Sequence, residues 1–394
     1  MYIFNPEHDL ALGNFGANYT PPESAVKLAS DLALLPVWYA PDGEHIVAEG
    51  AANADYLRTL QSMLPIHSEM IPFTEISSFA SEIIIPWGWN PLLRQQLMKA
   101  GVSSDFLPSM EDLSRLRDYS GRQHAARLLH ELLPQNDIFC GGALFFNRLN
   151  EVLEYLSSFS GDKVLKMPNS GSGKGLIWIK SEITDKQTDW CRRVIATQGG
   201  IIAEPVYDKH TDLAMEFSAN RRKVNFECYS LFESASSGAY AGNRLLTDKQ
   251  FEDEVLKFID VSVLYRLREE LTVRLAEYFP EYEGPMGVDM MICRTEEGFR
   301  LHPCVEINMR MNMGIVARRF FDRFVHPDSE GIYRIGYFKH KGEAANFCCE
   351  QKKAFPLEID HERISSGYLP LTPVNESTRY VAWSRILRKK KISE

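Results

Sequence analysis

A mixed α/β chain, doubly wound at its N-terminal end and α+β beyond it, is what these 394 residues predict. Three observations carry that expectation: a βαβ opening, a glycine-rich loop between two β-rich segments, and two apolar segments bearing acids at matching positions. Residues 2–4 read as a short strand, and a loop runs to Thr20. Pro21-Pro22-Glu23 opens a helix whose apolar positions recur to Leu35, before a strand at 36–40. A later strand at 82–86 precedes a helix near 91–100, so the first domain is expected over 1–110. Sheets of this kind take ligands at the C-terminal ends of their strands. The loop after the first strand crowds Asn5, Glu7, His8, Asp9 and Asn14 into that position. Those groups either recognise a substrate or cap helices and bond loop backbone.

Val164-Leu165-Lys166-Met167 and Leu176-Ile177-Trp178-Ile179 read as strands, and between them lies Pro168-Asn169-Ser170-Gly171-Ser172-Gly173-Lys174-Gly175. Glycines let backbone N–H groups turn toward a ligand, and the lysines at both ends add compact positive charge. Phosphate is the natural occupant of such a cradle. The spacing excludes a P-loop, which needs glycine where Pro168 stands and Ser or Thr where Gly175 stands. It also excludes a dinucleotide fingerprint, because Leu176 replaces the last glycine and a β-rich segment follows instead of a helix. Protein kinases drape a similar hairpin over their nucleotide, but His-Arg-Asp and Asp-Phe-Gly are both missing.

Strands over 286–293 and 299–307 flank Arg294-Thr295-Glu296-Glu297-Gly298, and a two-residue Glu297-Gly298 turn suits a tight hairpin. That register pairs Glu296 with Phe299, Cys293 with His302 and Asp289 with Glu306. Alternation then brings Asn308 to the face of Glu306, so Asp289, Glu306 and Asn308 converge. Two facing carboxylates repel without a cation, and Mg²⁺ takes a few hard protein oxygens while leaving other positions to water and phosphates. A bulge at Pro303 would shift the register and break the pairing. The other reading is a sheet-edge hairpin whose charges are simply solvated.

Taken in order, Lys166-x-Pro168 with its glycine loop, a strand ending in Glu204-Pro205, Gly287-Val288-Asp289 and Glu306-x-Asn308-x-Arg310 resemble the ATP-grasp superfamily. The resemblance covers the stretch from about 110 to 325 and implies an ATP-grasp fold of carboxylate–amine ligase type behind a Rossmann-like doubly wound domain. It divides the chain into 1–110, an ATP-binding catalytic domain over 111–325, and a segment of unknown role over 326–394. It makes Lys166 and Lys174 phosphate contacts, along with the loop residues Ser170, Gly171, Ser172 and Gly173. Ala203, Glu204, Pro205 and Val206 become the adenine-binding linker, and Asp212 the group that meets the ribose hydroxyls. The cofactors implied are ATP and Mg²⁺ or Mn²⁺, the metal being held by Asp289, Glu306 and Asn308. Arg310 falls where these enzymes stabilise the charge of an acyl-phosphate, a role worth about 3 to 4 kcal/mol. His8 is then placed to orient an incoming amine or take its proton. Two departures stand out: Gly287 occupies a position where some members carry arginine, and Arg122 is the nearest counterpart of a lysine that others carry on an earlier helix.

The expected activity is an ATP- and Mg-dependent ligation of a carboxylate to an amine or similar nucleophile through an acyl-phosphate. A small-molecule kinase and a non-catalytic nucleotide sensor on the same fold are the alternatives. A net charge of −9 argues against nucleic acid as the main partner, and the short basic run Arg388-Lys389-Lys390-Lys391 reads as a solvated end. Small-molecule carboxylate and amine substrates and a second copy of the chain in a homodimer are the expected partners, with no membrane. The first residues lack a basic start and no apolar run reaches membrane-spanning length, so a cytoplasmic location is expected. Seven cysteines without framework spacing argue for reduced thiols, adjacent Cys348-Cys349 included, and against zinc.

Overall fold

The structure, a computed structural model, describes residues 1–79, 82–171, 175–180, 182–235 and 238–389. It resolves into two compact units: one formed by Met1–Leu113, Ala241–Thr247 and Asn312–Glu394, the other by Ser114–Tyr240 and Asp248–Met311. No helix among the described residues is long and apolar enough to cross a membrane.

The first unit holds a four-stranded parallel sheet in the order Glu69–Ile71, His45–Val47, Tyr2–Ile3, Ile85–Pro86. Met1, Ile3, Val47, Ile71, Leu93 and Leu97 form the core around it. The helices Glu23–Asp31 and Pro91–Lys99 form near their expected places; Asn90 caps the second by accepting from Leu93 N–H at 2.9 Å. Two expectations fail here. Residues 36–40 are not a strand: Leu35–Trp38 is a buried 3-10 turn, and the second strand is His45–Val47. A short apolar run reads equally as strand or buried helical turn, and Pro36, which lacks an N–H, suits the start of the turn. The expected loop to Thr20 is partly helical, over His8–Asn14.

The C-terminal segment belongs to this unit. Its strands Ser329–Tyr337, Tyr380–Arg388, Arg363–Pro370 and Glu358–Asp360 follow the strand Tyr240–Leu245 as neighbours in that order. Trp38 packs edge-on against Phe320 and Phe324 and donates its indole N–H to Leu371 O at 2.6 Å. Asp31 accepts the backbone N–H groups of Arg379 and Tyr380 at 2.8 and 3.0 Å.

The second unit is built on four antiparallel strands ordered Gly298–Asn308, Glu283–Thr295, Lys209–Asn220, Lys223–Ser234. Alternation decides what each face carries. Leu213, Met215, Phe217, Met286, Val288, Met290 and Ile292 share one core with Leu264, Leu267, Leu271 and Leu275 of the helix Val261–Tyr278. A fully buried leucine of that set contributes roughly 1.5 to 3 kcal/mol. The intervening residues, Asp212, Glu216 and Asp289 among them, take the opposite face. A smaller sheet follows in the order Leu144–Phe146, Ile201–Pro205, Lys163–Lys166, Leu176–Ile179. Leu165, Ile179, Ile201 and Ala203 face the helices Leu149–Ser158 and Asp185–Gln198.

The hairpin reaches the expected Asp289–Glu306 pair by an unexpected route. Its turn lies at Glu296-Glu297, one residue early, so Thr295 pairs with Gly298, Cys293 with Arg300 and Met291 with His302. The expected pairs Glu296 with Phe299 and Cys293 with His302 are not formed. Between Met291 and Asp289 the register then slips, the second strand using four residues from His302 to Glu306 where the first uses two. Pro303, with no N–H for the ladder, sits in that bulge. Two extra residues preserve the alternation of faces, and the slip cancels the displaced turn.

The bulge leaves His302 fully enclosed. Its ring meets the edge of Tyr207 at 5.5 Å, and a Cβ on Gly141, whose φ is 133°, would lie 2.7 Å from it. Neither ring nitrogen has a hydrogen-bond partner among the described residues. Burial first, and the Lys166 cation second, hold the imidazole down to about 3, so it is neutral at neutral pH.

Two outcomes are expected. Gly367 has φ of 105° and a Cβ there would lie 2.2 Å from Pro356 O, whereas Gly43, at φ 80°, has nothing within 4 Å. Gly43→Ala should therefore cost about 1 kcal/mol of backbone strain and Gly367→Ala about 3 kcal/mol or more, read from urea unfolding. Equal losses would mean that the neighbouring carbonyl yields freely. For His302, a folded value below the unfolded one near 6.5 means stability that is complete above that pH and lost as pH falls toward 3. Between pH 7 and pH 4 the protein should lose about 3 kcal/mol more than its His302→Gln variant. Parallel pH profiles for the two proteins would refute this.

Candidate functional site

The helix-free face of the larger sheet gathers the acidic groups in rows. Asp289 stands between Ala214 and Glu306, and Gly287 between Glu216 and Asn308; Met291 stands between Asp212 and His302. Asn308 Nδ2 donates to Asp289 Oδ2 at 3.0 Å, and Arg310 Nη2 donates to Asn308 Oδ1 at 3.1 Å. Arg310 Nη1 is spent on Met311 O at 3.0 Å. Asp212 accepts from Lys209 Nζ at 2.6 Å and from Ser234 Oγ at 2.9 Å. Glu216 is a fourth carboxylate on this face and is almost fully buried. Its place in a strand between apolar residues is the only sequence signal that could have marked it.

Electrostatics make the Asp289–Glu306 pair the strained point. Burial first, and Glu306 across the ladder second, push the Asp289 carboxyl up to about 7 against the opposing pull of Asn308 and Arg310. A divalent cation between the two carboxylates would remove that cost. Among the described residues no three His, Cys, Asp or Glu side chains gather as a metal cluster. Two carboxylates and one amide nevertheless fit Mg²⁺ or Mn²⁺, hard ions that keep several positions for water and phosphate.

On the smaller sheet, Lys166 and Glu204 share the face turned away from the helices and form an ion pair at 2.6 Å, both nearly buried. Ala203 points the other way into the core, so its neighbour Glu204 is the linker residue whose side chain reaches this face. Pro205 ends the strand, and Val206, half exposed, donates its N–H to Asp162 O at 3.0 Å. The glycine loop is closed at its base by Met167 N–H to Gly175 O at 2.9 Å. Gly175, at φ 77°, lies so close to Ser170 that a Cβ would come within 2.7 Å. Ser170 is buried and Gly171 follows it; Ser172, Gly173 and Lys174 lie outside the described residues.

Arg122, singled out in the sequence only as a counterpart, connects loop and acids. It begins the helix Arg122–Leu132, and its backbone N–H donates to Pro168 O at 3.0 Å. Its Nη1 donates to Met167 O and to Ser170 Oγ, each at 2.8 Å. Its Nη2 donates to Ser170 O at 3.2 Å and to Glu306 Oε1 at 2.7 Å. Only 7% of the side chain is exposed.

His8 belongs to the other unit. It is buried, with its ring against Gly88, where a Cβ would fall 2.5 Å away, and Asn5 fixes Gly88 by two hydrogen bonds at 2.9 and 3.4 Å. Burial raises the neighbouring Glu7 carboxyl.

No protein-family model and no curated protein matches the chain. Solved structures do. N5-carboxyaminoimidazole synthetase from Staphylococcus aureus aligns over 99% of this chain and 93% of its own, at 10% identity and a TM-score of 0.51. Biotin carboxylase from Campylobacter jejuni, solved as a β-γ-ATP complex, aligns over 99% of this chain and 87% of its own, at 12% identity and a TM-score of 0.53. At such identities the likeness is one of architecture, and both are ATP-grasp enzymes. With a parallel α/β sheet, a glycine-loop sheet and an acid-bearing antiparallel sheet in this chain order, the protein has the ATP-grasp fold.

Proposed function

We propose that this protein is an ATP-dependent ligase that joins a carboxylate to an amine or similar nucleophile. The observation that carries the reading is the directly facing pair Asp289 and Glu306, with Asn308 one row on and Arg122 tying Glu306 to the glycine loop. Its support from outside the chain is the shared fold with a biotin carboxylase solved as a β-γ-ATP complex.

In this reading the backbone from Ser170 to Gly175, with Lys166 and Lys174, receives the phosphates, the 203–206 linker receives the base, and Asp212 receives the ribose hydroxyls. Asp289, Glu306 and Asn308 would hold Mg²⁺ or Mn²⁺, which supplies charge neutralisation at the phosphates. The γ-phosphoryl group passes to an oxygen of the carboxylate substrate, the bond to the β-phosphate oxygen breaks, and ADP leaves. The amine then attacks the acyl carbon, and phosphate departs and takes the amine's proton. The chain's own work is to position and neutralise: Arg310 is proposed at the acyl-phosphate. A pool of amino acids, short peptides and small acids incubated with ATP and Mg²⁺ tests the reading. Release of ADP and phosphate together with a new amide supports it; a stable phosphorylated product would make the protein a kinase, and binding without ADP formation would make it a sensor.

Asp289→Asn and Glu306→Gln should each abolish ADP formation while preserving the fold. Because Asp289 is raised in the folded protein, its carboxylate is a liability that grows as pH climbs from about 4 toward 7. Asp289→Asn should therefore be as stable as the parent or more so at pH 8 without ligand, by about 4 kcal/mol at most. A variant that unfolds in the absence of nucleotide yet turns over when folded would sink the metal assignment.

A further inference from the structure

We propose that Arg122 is a positioning residue that holds Glu306 until metal and nucleotide arrive together, and thereby couples the affinities of the two. The proposal rests on the nucleotide and metal reading above. Glu306 faces Asp289 across the ladder and is at the same time the acceptor of Arg122 Nη2 at 2.7 Å. One carboxylate thus serves two cationic claims, that of the guanidinium and that of a divalent ion.

The guanidinium has no way to withdraw. Its side chain is nearly buried, and its backbone is pinned at the start of a helix by Pro168 O. Among the described residues, three of its four side-chain hydrogen bonds go to Met167 and Ser170 at the root of the glycine loop, and the Glu306 bond is the one that neutralises it. A cation arriving alone must draw Glu306 from Arg122 and leave a buried positive charge uncompensated, which is costly. A nucleotide arriving alone meets an arginine already paired. When both arrive, the cation takes Glu306 and a phosphate takes the arginine's fork, a geometry that suits it. Each ligand supplies the partner the other displaces, which is positive coupling between two sites.

The test uses the full-length protein with Mn²⁺ alone, followed by electron paramagnetic resonance, and ADP alone in the presence of chelator, followed by calorimetry. Arg122→Met should bind Mn²⁺ alone about threefold more tightly or better, and ADP should raise its Mn²⁺ affinity by a smaller factor than in the parent. Glu306→Gln, which releases the arginine, should bind metal-free ADP about threefold more tightly or better than the parent. A role confined to packing would move neither quantity upward. Unchanged or weaker Mn²⁺ binding by an Arg122→Met protein that keeps its thermal transition overturns the proposal. If that variant does not fold, the Glu306→Gln arm decides: no gain in metal-free ADP affinity overturns it. A parent protein that binds neither Mn²⁺ nor ADP, alone or together, overturns the underlying reading as well.

Discussion

Strict alternation along the strand Glu283–Thr295 is the constraint on which the rest depends. Met286, Val288, Met290 and Ile292 are committed to the helical core, so Gly287, Asp289 and Met291 are committed to the opposite face. A slip of one residue would bury a carboxylate among leucines and turn methionines outward. The apolar core thereby enforces the polar arrangement: the same packing that stabilises the second unit holds Asp289 opposite Glu306 against their mutual repulsion. Charge is confined there by burial that the site itself does not supply.

The cationic side of the site is organised by pairing. Lys166 is matched to Glu204, Arg122 to Glu306, and Arg310 leans on Asn308. None of the three is an isolated buried charge, which would be costly. An anion entering this region exchanges partners with carboxylates already in place, so its affinity reflects a difference between two well-solvated-by-protein states and not the gross attraction of three cations.

Much of this was legible in the sequence, and unevenly so. Period-two alternation identified Asp289 and Glu306 as partners because a buried core makes face assignment robust, even though the turn and the Pro303 bulge each displaced the register. The strand expected at 36–40 failed because Leu-Pro-Val-Trp carries no periodicity that separates a strand from a buried 3-10 turn. Arg122 was visible only as a counterpart, since Ser170 and Glu306, its partners, are separated from it by 48 and 184 residues and no local pattern joins them. The C-terminal strands lacked a motif for the same reason: their pairing and the contacts of Trp38 with Phe320 and Leu371 are properties of the folded chain.

The division of the first unit among three stretches of chain has a consequence for how the protein comes into being. The segment Met1–Leu113 leaves the ribosome long before Asn312–Glu394, which contributes Phe320, Phe324 and Leu371 to the surroundings of Trp38. Most of the second unit, by contrast, lies between them and can condense on contacts of shorter sequence separation. During synthesis the nascent chain must therefore carry an unfinished apolar surface around Trp38 while its middle portion is already folding. The strand Tyr380–Arg388 emerges after Ser329–Tyr337 and Arg363–Pro370 and completes the ladder between them. Quality control in the cell would thus meet this protein as a species in which Trp38, made early, waits for Phe320, Phe324 and Leu371, made later, before it is enclosed.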